Sequence, residues 1–542
     1  MARKYLTQAE LLDEMENFED SDDSIRDPDY MDFSADESDS DDVSDDRIEL
    51  TDDDNVSHST VPVKPASLIW SHNFQAISGV LFTGNEGIQG QLLQNNEVTP
   101  VDIFFTIIDA NVLELMVTET NRNASQVLGS NIRTRGHRMT RWKNTDMDEM
   151  KKFLGVILFM GIVNFPKIEC YWKLDNLYYH PLMHKIKMSY NRFSLLLRCW
   201  HFVDNSLPRD GNDRLYKVSP LVDAVVANIQ KVYTPGKTVA IDESMILFRG
   251  RLQFRQYNPG KTNKYGIKIY KLCTPNGFVW NFKIYCGNDP TIETLDKPGS
   301  VVVTLGEKLL NEGRLFITDN WYTSIPLAIY LKNRNTDLCG TLRKNKKFLP
   351  KDVVNAKLKR GESFAMQANN ITVLKWCDKR DVLMLSTCQG NGMTQAATKR
   401  DPEKTKPNII LEYNKGKQGI DISDQMSSYY SCLRKSLIWY KKVAIELIAG
   451  SVIVNSWLIF NELCPGKNIR QLEFVEQLLH QIFQFENKTT DSQPGTSNNH
   501  CLQEIPRKAD GTLRRKRCHV CYNKNKEDRL GFCCKAHKTS EY

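Results

Sequence analysis

The chain has 542 residues, enough for several compact domains of about 100 to 200 residues each, so a small peptide or a single module is excluded. The formal charge of +6 is unevenly distributed, because residues 1–60 carry −18 and residues 61–542 carry +24. A body this basic favours a polyanionic partner, most commonly nucleic acid. The Cys residues from Cys170 to Cys464 lack the paired spacing of a disulfide scaffold and predict an intracellular protein with reduced thiols.

Residues 1–60 are rich in Asp, Glu and Ser and have few large apolar groups. Such a composition cannot bury enough surface to offset chain entropy, so we expect residues 1–96 to be a disordered acidic region. Four of its serines precede an acidic residue and suit an acid-directed kinase: Ser21, Ser38, Ser40 and Ser44. A tail that only solvates the protein or masks its basic body is the alternative. We find no secretory signal in the N-terminal sequence.

A helical pattern begins at Thr99, which suits an N-cap, followed by Pro100 at the first helical position. Thr145 opens a second predicted helix, and the segment from Tyr190 to Phe202 is a third. Residues 97–236 are therefore predicted to form an all-helical domain. The helical period resumes near Asp421 and continues to about residue 486.

Short apolar runs rich in β-formers occupy residues 237–345, with strands predicted at Thr238–Phe248, Gly266–Cys273, Phe278–Cys286 and Leu315–Thr318. A helix is predicted between the last two strands, so this region is expected to be an α/β domain with a mixed sheet. Residues 346–407 contain two more strand-like runs and look like a small β-rich insertion. The apolar run Val443–Phe460 carries two polar side chains and predicts a core helix, so we expect no membrane partner.

Three groups of carboxylates stand at the ends of these predicted elements. Asp242 lies in one strand, Asp319 directly follows another, and Asp421 and Asp424 are three residues apart, on one side of a helical turn. Oxygen ligands that converge in this way are what two divalent cations need for phosphodiester cleavage. Taken alone, each strand Asp is also compatible with a strand-end cap or a buried ion pair, and the third group with an ordinary acidic first turn.

The segment from Ser244 to Asn288 contains no acidic residue, and its basic side chains include Arg249, Arg251, Arg255 and Lys264. Basic groups of this kind contact phosphates, and interleaved aromatics stack on unpaired bases or belong to the core. The interleaved aromatics are Phe248, Phe254, Tyr257, Tyr265 and Tyr270.

Three motifs in this region resemble the piggyBac family of DNA transposases and the proteins derived from them. The motifs are AIDES at Ala240–Ser244 with FRGR at Phe248–Arg251, TDNWYTSIP at Thr318–Pro326 and GIDISDQM at Gly419–Met426. The similarity extends over about residues 97–465, with the motifs in family order and at family-like separations. On this resemblance, the chain is identified as a member of that family.

The resemblance implies an α/β RNase H-like catalytic core (237–345 and 408–430) with a split all-helical domain for dimerisation and DNA binding (97–236 and 431–486). Residues 346–407 would be the insertion domain, residues 487–506 a linker and residues 507–542 a short basic, Cys-containing, zinc-finger-like tail. Asp242, Asp319 and Asp421 would be the catalytic triad that holds two Mg²⁺ ions, with Mn²⁺ as a substitute, and Asp424 matches an additional acidic position. The family cuts transposon ends through a hairpin and joins them at TTAA sites, so the implied partners are double-stranded DNA and a second copy of the chain. Arg434, Lys435 and Trp439 align with a stretch that lies near DNA, although Trp439 also suits a core position.

The Cys-containing tail departs from the family pattern, which has more Cys and His ligands. Cys518, Cys521, Cys533 and His537 allow at most one Cys₃His zinc site, because the neighbouring Cys534 rarely ligates the same ion. A truncated module with free thiols is the alternative. The basic run Arg514–Arg517 predicts nuclear localisation. An active transposase is thus favoured by the intact Asp residues, and a domesticated, non-catalytic DNA-binding or chromatin protein by the shortened tail.

Overall fold

A computed structural model describes residues 68–90, 92, 97–130, 138–208, 211, 213–259, 264–287, 291–396, 405–434, 436 and 438–484, with the backbone of 502–504 and 532–534. The chain divides into two compact units between Gln484 and Phe485. In the second unit, the two described segments form an antiparallel pair of short strands.

The first helical part confirms the predicted starts of its helices to within two residues. Asp102 accepts a hydrogen bond from the Thr99 backbone N–H at 3.0 Å, and Pro100 occupies the first helical position. Asp146 caps the next predicted helix by accepting from the Glu149 N–H at 2.8 Å. The helices of this part are α1 (Pro100–Ile107), α2 (Ala110–Ser130), α3 (Met147–Ile162), α4 (Pro181–Lys185), α5 (Tyr190–Cys199) and α6 (Ser219–Val232).

Within the described residues, the centre of the protein is a mixed sheet of nine strands. Its strands are β3 (Thr238–Leu247), β4 (Gln256–Tyr257), β5 (Tyr265–Cys273), β6 (Val279–Ile284), β7 (Leu315–Thr318), β8 (Asp337–Thr341), β9 (Ser363–Ala368), β10 (Ile371–Cys377) and β11 (Asp381–Ser386). Their order is β4-β5-β3-β7-β8-β11-β10-β9, and β6 also pairs with β5. Parallel pairing is confined to β3 with β7 and β7 with β8 among these strands. The mixed sheet with its helices confirms the α/β prediction.

Three further pairs of short strands lie outside this sheet in the described parts of the chain. They are β1 (Gly87–Ile88) with β2 (Tyr233–Thr234), β12 (Met393–Gln395) with β13 (Thr405–Pro407), and β14 (Leu502–Glu504) with β15 (Phe532–Cys534). The helices after β6 are α7 (Lys297–Gly306), α8 (Ile325–Lys332), α9 (Lys351–Asn355), α10 (Asn408–Gly416), α11 (Gly419–Tyr429), α12 (Trp439–Ile445), α13 (Ile453–Leu463) and α14 (Gln471–Ile482).

Three strands of the segment 346–407, β9, β10 and β11, are continuous with the central sheet, which the sequence did not indicate. β11 pairs with β8 through Leu385 and Gly340, so β9, β10 and β11 extend the same sheet. On its other side, Gly340 lets β8 approach β7 closely, because a Cβ atom there would lie 2.5 Å from the Thr318 carbonyl oxygen. The attachment of these strands depends on β8, a strand that the sequence analysis did not predict.

A long helical segment from α12 to α13 packs the second helical part into the core. A π-helical turn, Glu446–Val452, interrupts it, and such turns are frequent at functional sites. Among the described residues, the segment Trp439–Leu463 is long and apolar enough to cross a membrane, but 72% of its most apolar window is buried inside the protein. Lys441 donates to the Arg198 carbonyl at 2.7 Å, and Lys442 to the Leu247 carbonyl at 2.7 Å. The segment therefore joins α5 to the end of β3 as a core helix.

Candidate active site

Asp242 and Asp319 follow the paired stretch of two adjacent parallel strands. In the register of β3 and β7, Ala240 faces Ile317 and Ile241 faces Thr318. Asp242 is the next residue of β3, and Asp319 directly follows the last residue of β7, so each aspartate comes directly after a residue of the last pair of strands that lie roughly 4.8 Å apart. The preceding residues are buried, whereas both aspartates are partly exposed. Two of the three predicted triad residues thus follow paired positions of neighbouring strands and are partly exposed.

A hydrogen-bonded turn orients Asp319. Its carboxylate accepts from the Trp321 N–H at 2.8 Å, and its carbonyl accepts from the Thr323 hydroxyl at 2.7 Å. Burial raises the pKa of Asp319, and the charge of Glu243 adds to this, against the opposing effects of the Trp321 N–H, the Tyr322 N–H and Arg343. The ionised carboxylate therefore lacks sufficient compensation from the protein and favours an added positive charge.

Glu243 is an acidic residue of this site that our sequence reasoning missed. The Tyr322 hydroxyl donates to its carboxylate at 3.4 Å, and the Tyr322 ring is fully buried. Burial, with the charges of Glu243 and Asp242, raises the pKa of Tyr322 well above its ordinary value, so the phenol keeps its proton. The signal available in the sequence was the adjacency of Glu243 to Asp242 in the AIDES motif. Strand alternation turns these two side chains to opposite faces of β3.

The first turn of α11 lies against the central strands. A Cβ atom on Gly419 would be 2.5 Å from the Thr274 carbonyl and 3.6 Å from Cβ of Ala240, so only glycine permits this approach. Asp421 follows two residues later and is exposed, and Asp424 lies on the next turn. The third carboxylate group is therefore on a helix whose first residue lies beside Ala240 of β3. Ala240 is two residues before Asp242 in the strand.

Asp424 is engaged by a buried lysine. The Lys271 ammonium lies 2.8 Å from the Asp424 carboxylate, and Lys271 is 1% exposed. Lys271 also faces Asp242 directly across the β3–β5 register. Burial lowers the pKa of Lys271, but Asp424 and Glu446 together outweigh burial, so its pKa is raised and it stays charged. Asp424 therefore pairs with this ammonium, and its role as a metal ligand stays a prediction.

The donor chemistry of the carboxylates suits a hard divalent cation. Within the described ranges, no group of three or more His, Cys, Asp or Glu side chains meets the geometry of a metal site. Asp242 and Asp319 nevertheless supply carboxylates from two adjacent strands, and burial, with the charge of Glu243, raises the pKa of Asp319, so a bound cation would stabilise its ionised form. Asp421, at the start of α11, offers the third carboxylate.

Four of the six basic residues predicted to bind DNA lie together at one end of the sheet. Arg249 and Arg251 follow the end of β3, Arg255 precedes β4, and Lys264 precedes β5; all four are exposed. Because β4 pairs with β5 and β5 with β3, these positions share one edge of the structure.

Most of the interleaved aromatics are core residues. Phe248, Phe254 and Tyr270 are at most 4% exposed, whereas Tyr257 is 57% and Tyr265 44% exposed. Phe248, Phe254 and Tyr270 are therefore core residues, as one of the two alternatives predicted. Tyr257 and Tyr265 are exposed and remain candidates for stacking on bases.

Comparisons with known proteins identify the family of this chain. Residues 99–457 match a family model described as Transposase IS4, which corresponds to transposases of the piggyBac type. The chain belongs to this family. Two human relatives, PiggyBac transposable element-derived proteins 2 and 3, are each 25% identical; their alignments cover 74% and 82% of this chain and 68% and 73% of theirs.

A solved structure shares the fold of this transposase-family chain. It is the piggyBac transposase synaptic complex with hairpin DNA, which is 24% identical and superimposes with a TM-score of 0.66. The match covers 84% of this chain and 98% of that one. The similarity establishes the common fold.

In this family member, Arg434 and Trp439 are packed within the protein. The Arg434 guanidinium donates to the Phe165 carbonyl at 2.7 Å and to the Tyr171 hydroxyl. Trp439 is 7% exposed, and its ring meets Phe254 edge to face with centroids 5.2 Å apart. Lys435 lies outside the described residues. DNA contact by these three stays a prediction, and for Trp439 it requires the ring to become uncovered.

The predicted zinc ligands cannot be placed. Cys518, Cys521 and His537 lie outside the described residues, and only the backbone of Cys533 is described, in β15. The basic run Arg514–Arg517 also lies outside them. Zinc binding and the nuclear signal therefore remain predictions.

Proposed function

We propose that this chain is a metal-dependent DNA transposase that cuts and joins DNA strands at the carboxylates of β3, β7 and α11. The observation that carries the proposal is the parallel register of β3 and β7, whose last pair, Ile241 and Thr318, directly precedes Asp242 and Asp319. The family supports the reaction class. The strand order β6-β5-β3-β7-β8, with Asp242 on β3 and Asp319 directly after β7, supports the RNase H-like core that the resemblance implies.

In this proposal, Asp242, Asp319 and Asp421 would hold two Mg²⁺ ions, with Asp424 at the additional acidic position. Such ions lower the pKa of bound water and offset charge on the scissile phosphate when bound. The turn from Asp319 to Thr323 orients one carboxylate, and the protonated Tyr322 holds Glu243. Arg249, Arg251, Arg255 and Lys264 bind backbone phosphates and so align the strand with the carboxylates.

The proposed substrates are double-stranded transposon ends and a TTAA target, handled by a homodimer in the nucleus. The solved relative is a synaptic complex with hairpin DNA, which supports DNA as the partner. The body charge of +24 for residues 61–542 supports the same partner.

Nicking of supercoiled plasmid by the full chain with Mg²⁺ or Mn²⁺ tests the first prediction. Asp242→Ala, Asp319→Ala and Asp421→Ala should each lower cleavage at least about 100-fold, because each removes a metal ligand. DNA affinity, measured by fluorescence anisotropy, should stay within about twofold, since the phosphate-binding residues are unchanged. Asp148→Ala is the matched control, because Asp148 is an exposed carboxylate on α3 whose side chain is 87% exposed. Cleavage by Asp242→Ala at the wild-type rate would contradict the assignment.

A second candidate function is a domesticated DNA-binding or chromatin protein without catalysis. The observation that favours it is that the curated relatives are themselves named transposable element-derived proteins. The same experiment separates the two candidates, because tight DNA binding with no Mg²⁺- or Mn²⁺-dependent nicking by the wild type is the outcome expected of the second.

A further inference from the structure

Two exposed tyrosines face each other across the outer hairpin of the sheet. Tyr257 on β4 is the register partner of Tyr265 on β5, and their ring centroids are 4.7 Å apart. More than half of Tyr257 and nearly half of Tyr265 remain accessible to solvent. The pair therefore presents aromatic surface to solvent. The contact between the rings does not by itself indicate a ligand, because any cross-strand aromatic pair stabilises its sheet in this way.

A fixed cation stands beside this pair. The Arg255 guanidinium lies 5.2 Å from the centroid of the Tyr265 ring, and it donates to the carbonyls of Arg249 and Gly250 at 3.1 and 3.3 Å. The guanidinium is thus held in place by the loop that follows β3. Lys264, next to Tyr265, adds a second exposed positive charge. Aromatic rings flanked by fixed cations suit an anionic chain that carries flat rings of its own.

The backbone under the pair is held firmly to the sheet. A Cβ atom on Gly266 would lie 2.3 Å from the Ile246 carbonyl oxygen, so β5 approaches β3 more closely than any other residue permits. The Phe248 N–H donates to the Tyr265 carbonyl at 3.4 Å. Tyr265 is therefore positioned by the central sheet itself.

The tyrosines stand at the exposed basic edge of the sheet, beside Arg255 and Lys264. Farther along β5 the same face is covered, because Ile269 and Lys271 are at most 4% exposed and line a small cavity with residues of the helical segment that packs on the sheet. The pair is therefore an edge site, open to solvent only where β4 and β5 leave the covered part of the sheet.

We propose that Tyr257 and Tyr265 form a stacking platform for an unpaired base of bound DNA. This proposal rests on the proposed function, because it presumes that the chain binds DNA at this basic edge. The ligand is a nucleobase in a single-stranded or frayed segment, whose ring stacks on the tyrosines while Arg255 and Lys264 contact the adjacent phosphates. A base inside a duplex is already stacked and offers no free face.

The test compares the affinity of the full chain for a blunt duplex and for the same duplex with a single-stranded overhang that carries 2-aminopurine. The wild type should prefer the overhang and quench the 2-aminopurine fluorescence, since stacking quenches this base. Tyr257→Leu and Tyr265→Leu should each reduce the preference about tenfold and restore the fluorescence. The expected change falls on the overhang alone, so affinity for the blunt duplex should be unchanged.

Two controls separate stacking from a structural role. Tyr257→Phe and Tyr265→Phe keep the ring and should retain both the preference for the overhang and the quenching. Tyr179→Leu removes a comparably exposed tyrosine, 49% accessible, outside the sheet, and should leave both unchanged. Melting temperatures within a few degrees of wild type establish that the Leu variants are folded. Wild-type preference and quenching in both Leu variants would overturn the platform while leaving DNA binding intact. Failure of the wild type to bind even the blunt duplex would overturn the proposed function, and the platform with it.

Discussion

Asp319 illustrates how one residue of the candidate site opposes the stability of the fold. Its pKa is raised in the folded protein, first by burial and then by Glu243, so the folded state disfavours the ionised form. An acid with a raised folded-state pKa contributes stability that is present below its unfolded pKa and is lost as the pH rises through the folded value. At neutral pH the carboxylate is therefore a cost that a bound cation would remove.

Asp319→Asn should for this reason be more stable than the wild type at pH 7 in a chelating buffer. The amide oxygen can still accept from the Trp321 N–H, but the buried charge is gone, and we expect a melting temperature higher by about 2 °C. The difference should shrink as the pH falls toward 4, where the wild-type carboxyl becomes protonated. Differential scanning calorimetry across this pH range measures it. A difference in melting temperature between variant and wild type that is smaller at pH 7 than at pH 4 would contradict this account.

At the scale of elements, Lys271 joins β5 to α11 and to the π-helical turn. Its ammonium pairs with Asp424 on α11 at 2.8 Å and is held charged by Asp424 together with Glu446, the first residue of the π-helix. Burial raises the pKa of Glu446, and Lys271 opposes that rise. These three charges thus connect a strand and two helical elements around a small apolar cavity, where Glu446 and Lys271 are lining residues.

Lys271→Met should lower the free energy of unfolding by about 2 kcal/mol, because it leaves two carboxylates without their buried cation. The value is below that for a fully buried pair, since the Asp424 side chain is 39% exposed and can be hydrated. Urea unfolding measures the loss. The double variant Lys271→Met/Glu446→Gln should recover about half of the lost free energy of unfolding, because it also removes the buried Glu446 charge, which water hydrates less than that of Asp424. Equal losses in the single and double variants would mean that Glu446 is not part of the network.

At the scale of the whole molecule, the charge of −18 on residues 1–60 opposes the charge of +24 on the remainder. Those residues lie outside the described ranges, so the interaction is predicted from the sequence alone. A tethered acidic segment competes with DNA for a basic surface by raising the local concentration of negative charge. Salt weakens this competition, because exposed charges interact little beyond a Debye length of about 8 Å at physiological ionic strength.

Deletion of residues 1–60 should therefore tighten non-specific DNA binding at low salt, and the gain should decline as salt rises. Phosphorylation of Ser21, Ser38, Ser40 and Ser44 should weaken binding instead, since it adds negative charge. Anisotropy titrations over a salt series measure both effects. Equal affinity of the full and shortened chains at every salt concentration would rule out autoinhibition and favour a tail that only solvates the protein.

The sequence by itself determined the local features of this protein. The cap at Thr99 and the apolar runs of β3 and β7 were predicted because helix starts and buried strands depend on neighbouring residues. The motifs around Asp242 and Asp319 also identified the family, which the match over residues 99–457 confirms. Each of these features is contained within a short stretch of chain.

Only the tertiary structure decided which of these stretches meet. The pairing of β3 with β7, the continuation of the sheet through β8, and the contact of Lys271 with Asp424 join residues far apart in the chain. Periodicity reports whether a side chain is buried, but it does not report the partner, because strand pairing and register depend on the whole sheet. For the same reason, the sequence did not distinguish Phe254, which is buried in the core, from Tyr257, which is exposed, although both are aromatic residues of the same basic segment.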